Sequence, residues 1–446
     1  MTLAPDPLAH APWALLRPHL AEPYCFLLDR AGRSVPSFAG GRPSSQLVVD
    51  CSGRVRCWKD GCWRESSAHP LVAIANFVER SRARPLDTPR WLRGRLLPRT
   101  VGYLSYELAC FIEQVRRADV DFLDLPLAVL STYDEIDAWD PDTGAISRVH
   151  FDAGGAPVPE EDRGSSPQTW EQTARPLYDR GFERIAAAIA AGDLYQANLS
   201  RREVFDLVDA PADVYRRLRR VQPVPHGAFL RCGGFELLSN SPECFLERRG
   251  DRVRTLPIKG TRARRAEAGA DAAARKQLRT DAKERAEHVM IVDLERNDLG
   301  RVALAGSVEV ARFGRVASWA TVHHMISEVR ATLQPGTGLA ELLRATFPGG
   351  SITGAPKIAA IDLLAGVERY TRGPYTGAVG MWNGGAMLEL SIAIRTAVVR
   401  GGRACYSAGG GIVADSDRDA EWAETEVKLR AWKSCVAQAA SVDAVA

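Results

Sequence analysis

The pentapeptide Pro257-Ile258-Lys259-Gly260-Thr261 places a lysine between an apolar approach and a Gly-Thr step. Glycine lets backbone come close to a ligand, and threonine offers a hydroxyl and an N–H beside it. A lysine held against apolar neighbours has its charged form disfavoured, which suits a nucleophile or base near neutral pH. A lysine before Gly-Thr is also a common exposed turn residue, so the pentapeptide does not decide alone. Carboxylates offer a second chemistry. Glu421 and Glu424 are three apart with Lys428 four further on, and on a helix all three project from one face. Glu287 falls in another helical stretch. Three carboxylates without a histidine or cysteine partner suit a hard cation such as Mg²⁺, which keeps waters and takes ligands from substrate oxygens. Acidic residues also solvate exposed helix faces, but the apolar run Val289 to Val292 after Glu287 points to a buried segment.

Two glycine clusters could hold anions. One, Phe347 to Lys357, opens a helix with Pro356 near its first turn; the other, Gly409-Gly410-Gly411, is read as a loop after a strand. Neither has P-loop or dinucleotide spacing, so carboxylates are expected as guests before polyphosphates. Arg395 lies among apolar residues, where a guanidinium wants a bidentate anion or a structural salt bridge. Tyr375 and His324 carry no function by themselves.

The elements that must position these groups follow from periodicity. Helices are expected at 71–80, from 178 to about 192, and at 281–293, 338–345, 355–365 and 419–437. Strands are expected at 195–200, 227–231, 236–238, 244–248, 307–313, 377–381, 389–400 and 404–408, with further short β-rich runs before 150. Cys57 and Cys62 bracket a hairpin turn, and the basic run 259–265 reads as a solvated loop. Strands cluster without a βαβ rhythm, which favours α+β over a Rossmann type. The chain is expected to divide into a β-rich region 1–151, a Gly/Pro/acid-rich linker 152–171, a larger region 172–438 and a tail 439–446. A net charge of +3, from 58 basic against 55 acidic residues, argues against a nucleic-acid surface. Nine scattered cysteines complete no zinc set and fit a reducing compartment. No signal peptide and no membrane span is evident, so a soluble, cytoplasmic protein is expected.

Ser241-Pro242-Glu243, Pro257 to Thr261, Glu287 to Val302, Phe347 to Lys357, Arg372 to Gly377, Ala393 to Thr396 and Gly409 to Lys428 occur in that order. This set resembles the chorismate-utilising enzymes: anthranilate synthase component I, aminodeoxychorismate synthase component I, and the isochorismate and salicylate synthases. The likeness is strongest to the aminodeoxychorismate branch, from about 172 to 435. The resemblance implies large antiparallel sheets packed as a sandwich, with helices outside. It implies that Glu287, Glu421 and Glu424 hold Mg²⁺ against the ring carboxylate of chorismate, with Gly260 and Thr261 beside it. Tyr375, Arg395 and Gly409–Gly411 would hold the enolpyruvyl carboxylate, Thr353 and Lys428 would line the pocket, Glu243 would be the general acid, and His324 the active-site histidine. Gln196 stands where isochorismate and salicylate synthases carry a water-activating lysine, and Lys259 stands where anthranilate synthases commonly carry alanine. The chemistry implied is addition of Lys259 at C2, loss of the C4 hydroxyl with a proton from Glu243, and amination at C4. The product would be 4-amino-4-deoxychorismate, the precursor of 4-aminobenzoate and folate.

Departures matter as much. Ser-Pro-Glu is followed by Cys244 where the family commonly has arginine. Leu27-Leu28-Asp29-Arg30 replaces the Leu-Leu-Glu-Ser of tryptophan-inhibited anthranilate synthases, which puts tryptophan feedback in doubt. No glutaminase nucleophile loop is evident, so ammonia is expected from a separate glutamine amidotransferase subunit, and pyruvate release from another enzyme. Anthranilate synthase component I is the alternative within the enzymes, and a non-catalytic chorismate-binding paralogue the alternative outside them.

Overall fold

Several central strands are buried on both faces, and the fold explains why. In the computed structural model, which describes residues 11–30, 35–121, 123–161, 170–319 and 322–437, Thr100–Leu104, Ala128–Thr132 and Ala378–Trp382 are buried along their whole length. Val101, Tyr103, Val129, Val379 and Met381 point into a gap between two sheets, where they meet Phe26, Leu28, Ala228, Leu230 and Val398. Their neighbours Leu104, Leu130, Ala378 and Leu390 point the other way, onto helices Pro70–Arg80 and Leu339–Thr346. A strand covered on both sides cannot alternate apolar with polar residues.

The first sheet has ten strands, in the order Gly354–Ala355, Gln196–Asp206, Arg403–Ile412, Thr396–Arg400, Glu236–Ser241, His226–Arg231, Phe26–Asp29, Ser37–Gly40, Glu135–Trp139 and Ile146–His150. The second has twelve. It runs from Ile258–Ala263 through Val322–Thr332, Arg252–Leu256, Cys244–Arg249, Met387–Ile392, Ala378–Trp382 and Thr100–Leu104 to the hairpin Val55–Lys59/Cys62–Ser66, with Glu309–Ser318 also on Val322–Thr332. The strand pairs within both sheets are antiparallel, and residues before 151 and after 172 contribute strands to both. Helices Ala11–Leu16, Pro211–Val221 and Arg418–Ala437 cover the outer face of the first sheet. The fold is α+β, a sandwich of two antiparallel sheets with helices outside.

Several expectations need correction. The run 389–400 is not one strand: Met387–Ile392 and Thr396–Arg400 belong to different sheets, and the chain crosses between them at Ala393-Ile394-Arg395, with Arg395 at φ +52°. Gly409–Gly411 is not a loop but the end of strand Arg403–Ile412, paired to Gln196–Asp206. The basic run after Lys259 is not a solvated loop either. Ile258–Ala263 is a strand, and Arg262 pairs with Asp281 and Glu284 at 3.0 and 2.8 Å. Helices Pro211–Val221 and Ala268–Thr280 were not expected, and the helix expected at 281–293 runs on as Ala282–Gly300. The Cys57/Cys62 hairpin is present, turning through Asp60 and Gly61 at φ +53° and +80°, and all nine cysteines are free. Of the expected linker, 162–169 lies outside the described residues, as does the tail 439–446.

Candidate functional site

Strand Ile258–Ala263 pairs with Val322–Thr332 so that Thr261 faces His324, and the register shifts between Lys259 and Thr261. The shift is a bulge at Gly260, held at φ +76°. A Cβ there would lie 2.7 Å from Leu278 and 2.9 Å from the Glu284 carboxylate, so only glycine lets the helices behind close on the strand. The Thr261 hydroxyl lies 2.9 Å from His324 Nδ1. Burial pushes His324 down to about 3, so its ring is neutral.

The setting of Lys259 differs from the expected apolar one. Leu256 and Ile258 are only half-buried, as is Lys259 itself, while Pro257 is buried. The charged groups whose fields couple with Lys259 are the carboxylates Glu243, Glu287 and Glu424. Among the described residues, Lys259 Nζ makes no hydrogen bond or ion pair.

Glu243 ends the turn after Ser241 and is almost fully buried. Its Oε1 accepts from Ser351 Oγ at 2.9 Å and from the Ile258 N–H at 3.3 Å. Burial pushes its pKa up to about 7, against the pull of those bonds and of Lys259 and Arg395. A carboxyl balanced near neutrality can hold and release a proton. Arg395 reaches the same region. Its Nη1 is buried without a partner, it pairs with no carboxylate among the described residues, and burial lowers its pKa. The structural salt bridge left open by the sequence is therefore absent from these residues, and the guanidinium is left wanting an anion.

Gly409 and Gly411 face Tyr375, Asn198 and Gln196, since added Cβ atoms would meet the Tyr375 hydroxyl at 3.0 Å and Gln196 Nε2 at 2.9 Å. Among the described residues, neither amide atom of the fully buried Gln196 side chain has a hydrogen-bond partner. Gly410 faces helix Arg418–Ala437 instead, where a Cβ would lie 2.8 Å from Glu421 Oε2. Lys428 Nζ donates to the Gly409 carbonyl at 2.6 Å and pairs with Glu424 at 2.7 Å. Thr353 is fully buried and donates its hydroxyl to the Gly349 carbonyl at 2.8 Å.

Of the expected metal carboxylates, Glu287 is pushed up by burial first and then by Glu284 and Glu421, and Glu421 by burial first and then by Glu424. Lys428 lowers Glu424. Among the described residues, no three His, Cys, Asp or Glu side chains close into a metal cage. The donors still fit a hard cation by type: they are carboxylate oxygens from two helices, with Gly410 leaving beside Glu421 and Glu424 the room a side chain would fill. Glu284 is a further carboxylate that the sequence reading missed, although its spacing to Glu287 matches that of Glu421 to Glu424. Two pockets open to solvent flank the buried Arg372–Glu368 pair; neither is lined by Lys259, Glu243 or the metal-type carboxylates.

The family described as chorismate binding enzyme matches residues 23–434. Aminodeoxychorismate synthase component 1 of Bacillus subtilis (strain 168) is 35% identical over 347 residues, 73% of this chain and 74% of that protein. Anthranilate synthase component 1 of Neisseria meningitidis serogroup A is 41% identical over 445 residues, 92% and 89% of the two chains. The crystal structure of anthranilate synthase component I from Streptococcus pneumoniae TIGR4 superposes with a TM-score of 0.73 at 25% identity, covering 93% of this chain and 92% of that one.

Proposed function

Because the chain belongs to the chorismate binding enzyme family across residues 23–434, we propose that it converts chorismate and ammonia to 4-amino-4-deoxychorismate. The observation that carries this reading is the Lys259 amine, unpartnered among the described residues and electrostatically coupled to a Glu243 carboxyl whose pKa is pushed up to about 7. Arg395, Tyr375 and the bare Gly409–Gly411 edge would take the enolpyruvyl carboxylate, with Thr353 and Lys428 bounding the pocket. Gly260, Thr261 and the neutral His324 would flank the ring carboxylate. The lone pair of Lys259 Nζ forms a bond to C2, the ring double bonds shift, and the C4–O bond breaks as Glu243 gives its proton to the departing hydroxyl. Ammonia then bonds to C4, the shift reverses, the C2–N bond breaks to free Lys259 as the neutral amine, and the new C4 ammonium returns a proton to the Glu243 carboxylate. Mg²⁺, when bound by Glu287, Glu421 and Glu424, would orient the substrate carboxylate and offset its charge. Buried Gln196 is no base, so nothing at that position would activate water for attack. The ammonia would come from a separate glutamine amidotransferase subunit, as the "component 1" in the names of the relatives suggests.

Anthranilate synthesis is the competing reading, favoured by the 41% identity to the Neisseria protein. One experiment separates them: purified chain, chorismate, Mg²⁺ and ammonium salt, with products identified by mass and fluorescence. The 4-amino product is expected, abolished by excess chelator. Lys259→Ala should still bind chorismate while losing most turnover. Fluorescent anthranilate from the wild type, or an alanine variant at the wild-type rate, overturns the proposal.

A further inference from the structure

Helix Arg418–Ala437 buries Thr425, Leu429, Trp432 and Cys435 against the sheet, a stripe at helical spacing with one polar member. At about 100° per residue, Glu421 and Lys428 fall within the arc of that stripe, and Glu424 lies about 100° from Thr425. A slip of one residue would turn the helix about 100° and carry both carboxylates away from Gly410. Apolar stripes tolerate such slips better than a keyed polar contact does.

Arg201 provides the key. It lies on strand Gln196–Asp206, opposite Ala408 and two residues from Leu199, which faces Gly410. Its side chain is only 3% exposed. Its Nε donates to Thr425 Oγ1 at 2.6 Å, Nη1 donates to Glu203 at 2.6 Å, and Nη2 donates to Glu426. The guanidinium also stacks 4.1 Å over the Trp422 ring, which Arg175 approaches at 4.9 Å and Tyr178 meets edge-on at 5.0 Å. Thr425 in turn donates to the Trp422 carbonyl at 2.7 Å. Residues 422, 425 and 426 are thus all gripped by one side chain, and they alternate along the helix with Glu421 and Glu424.

We infer that Arg201, acting through Thr425, is a positioning residue that sets the rotation of the C-terminal helix and so presents Glu421 and Glu424 to a divalent cation. The inference rests on the proposed metal role of those carboxylates. A planar five-donor fork suits the task, because it fixes direction as well as distance. Breaking the Thr425 contact leaves the helix packed on its apolar stripe but free to turn.

The test is Mg²⁺ binding to the full chain, by calorimetry without chorismate, for wild type, Thr425→Val, Thr425→Ser and Arg201→Met. Supporting groups around metal ligands typically change affinity about 10–100-fold when removed. Thr425→Val and Arg201→Met are expected to weaken Mg²⁺ by about tenfold or more, while Thr425→Ser, which keeps the hydroxyl, stays near wild type. The Mg²⁺ half-saturation of ammonium-dependent turnover should move in step, with kcat recovered at saturating Mg²⁺. Should Arg201→Met fail to fold, the valine and serine pair decides. Lower stability with unchanged Mg²⁺ affinity overturns the inference and leaves the metal reading standing. A wild-type chain that binds no Mg²⁺ removes the metal reading and the inference with it.

Discussion

A carboxyl in a dry pocket becomes a useful acid only if its proton is held at working pH, and Glu243 meets that condition through burial. Its pKa is pushed up to about 7, so it is mostly protonated below that pH and mostly ionised above it. The proposed departure of the C4 hydroxyl needs the protonated form. At fixed free-ammonia concentration, loss of the Glu243 proton should therefore make kcat/KM for chorismate fall as pH rises through about 7. Glu243→Gln keeps the shape and the hydrogen-bonding reach but cannot give a proton, and should lower turnover by about 10²–10⁴-fold. A rate that keeps rising above pH 8, or a glutamine variant near wild-type speed, would move the acid role elsewhere.

Elements were legible where one period dominated. The helix expected at 71–80 lies within Pro70–Arg80, with Leu71, Ile74, Phe77 and Val78 buried at helical spacing. Helix Ala268–Thr280 escaped because it buries Leu278 alone and so carries no apolar stripe. The strand end at Gly409–Gly411 was misread because glycine is depleted in strands; here crossing side chains at Tyr375, Gln196 and Glu421 demand it. The crossing at Arg395 was hidden by strand-forming neighbours, since nothing in an arginine announces a positive φ. Site residues separated by more than a hundred positions became legible only through the order of their motifs, whereas Glu284 needed only its spacing. The bulge at Gly260 yields a test at this scale. Gly260→Ala must adopt φ +76° and displace Leu278 or Glu284, and should cost about 1–3 kcal/mol in urea denaturation while raising KM for chorismate. An alanine variant of unchanged stability and KM would mean that the bulge relaxes freely.

Across the whole molecule, the two sheets are joined by a buried ion pair. Arg30, just past strand Phe26–Asp29 of the first sheet, pairs with Glu389 on Met387–Ile392 of the second, and His226 Nδ1 lies 3.4 Å from the same carboxylate. By the resemblance drawn from the sequence, Arg30 would stand where tryptophan-inhibited anthranilate synthases carry serine, and its guanidinium is committed to Glu389. Millimolar tryptophan should leave turnover unchanged, and strong inhibition would contradict that placement. Glu389→Ala strands a buried cation and should destabilise by about 3–5 kcal/mol, whereas pairing Arg30→Met with Glu389→Leu should restore most of the loss. The interleaving of early and late strands also bears on how the chain is made. Leu104 pairs early with Ala128 but finds its second partner only at Ala378, and Leu27 pairs early with Ala39 but finds its second only at Phe229. At roughly 5–20 residues per second, the first hundred residues wait on the order of tens of seconds on the ribosome with open strand edges. Over that interval the nascent chain is a natural client for whatever shields unpaired strands, and the sandwich can close only once strand Arg403–Ile412 has emerged.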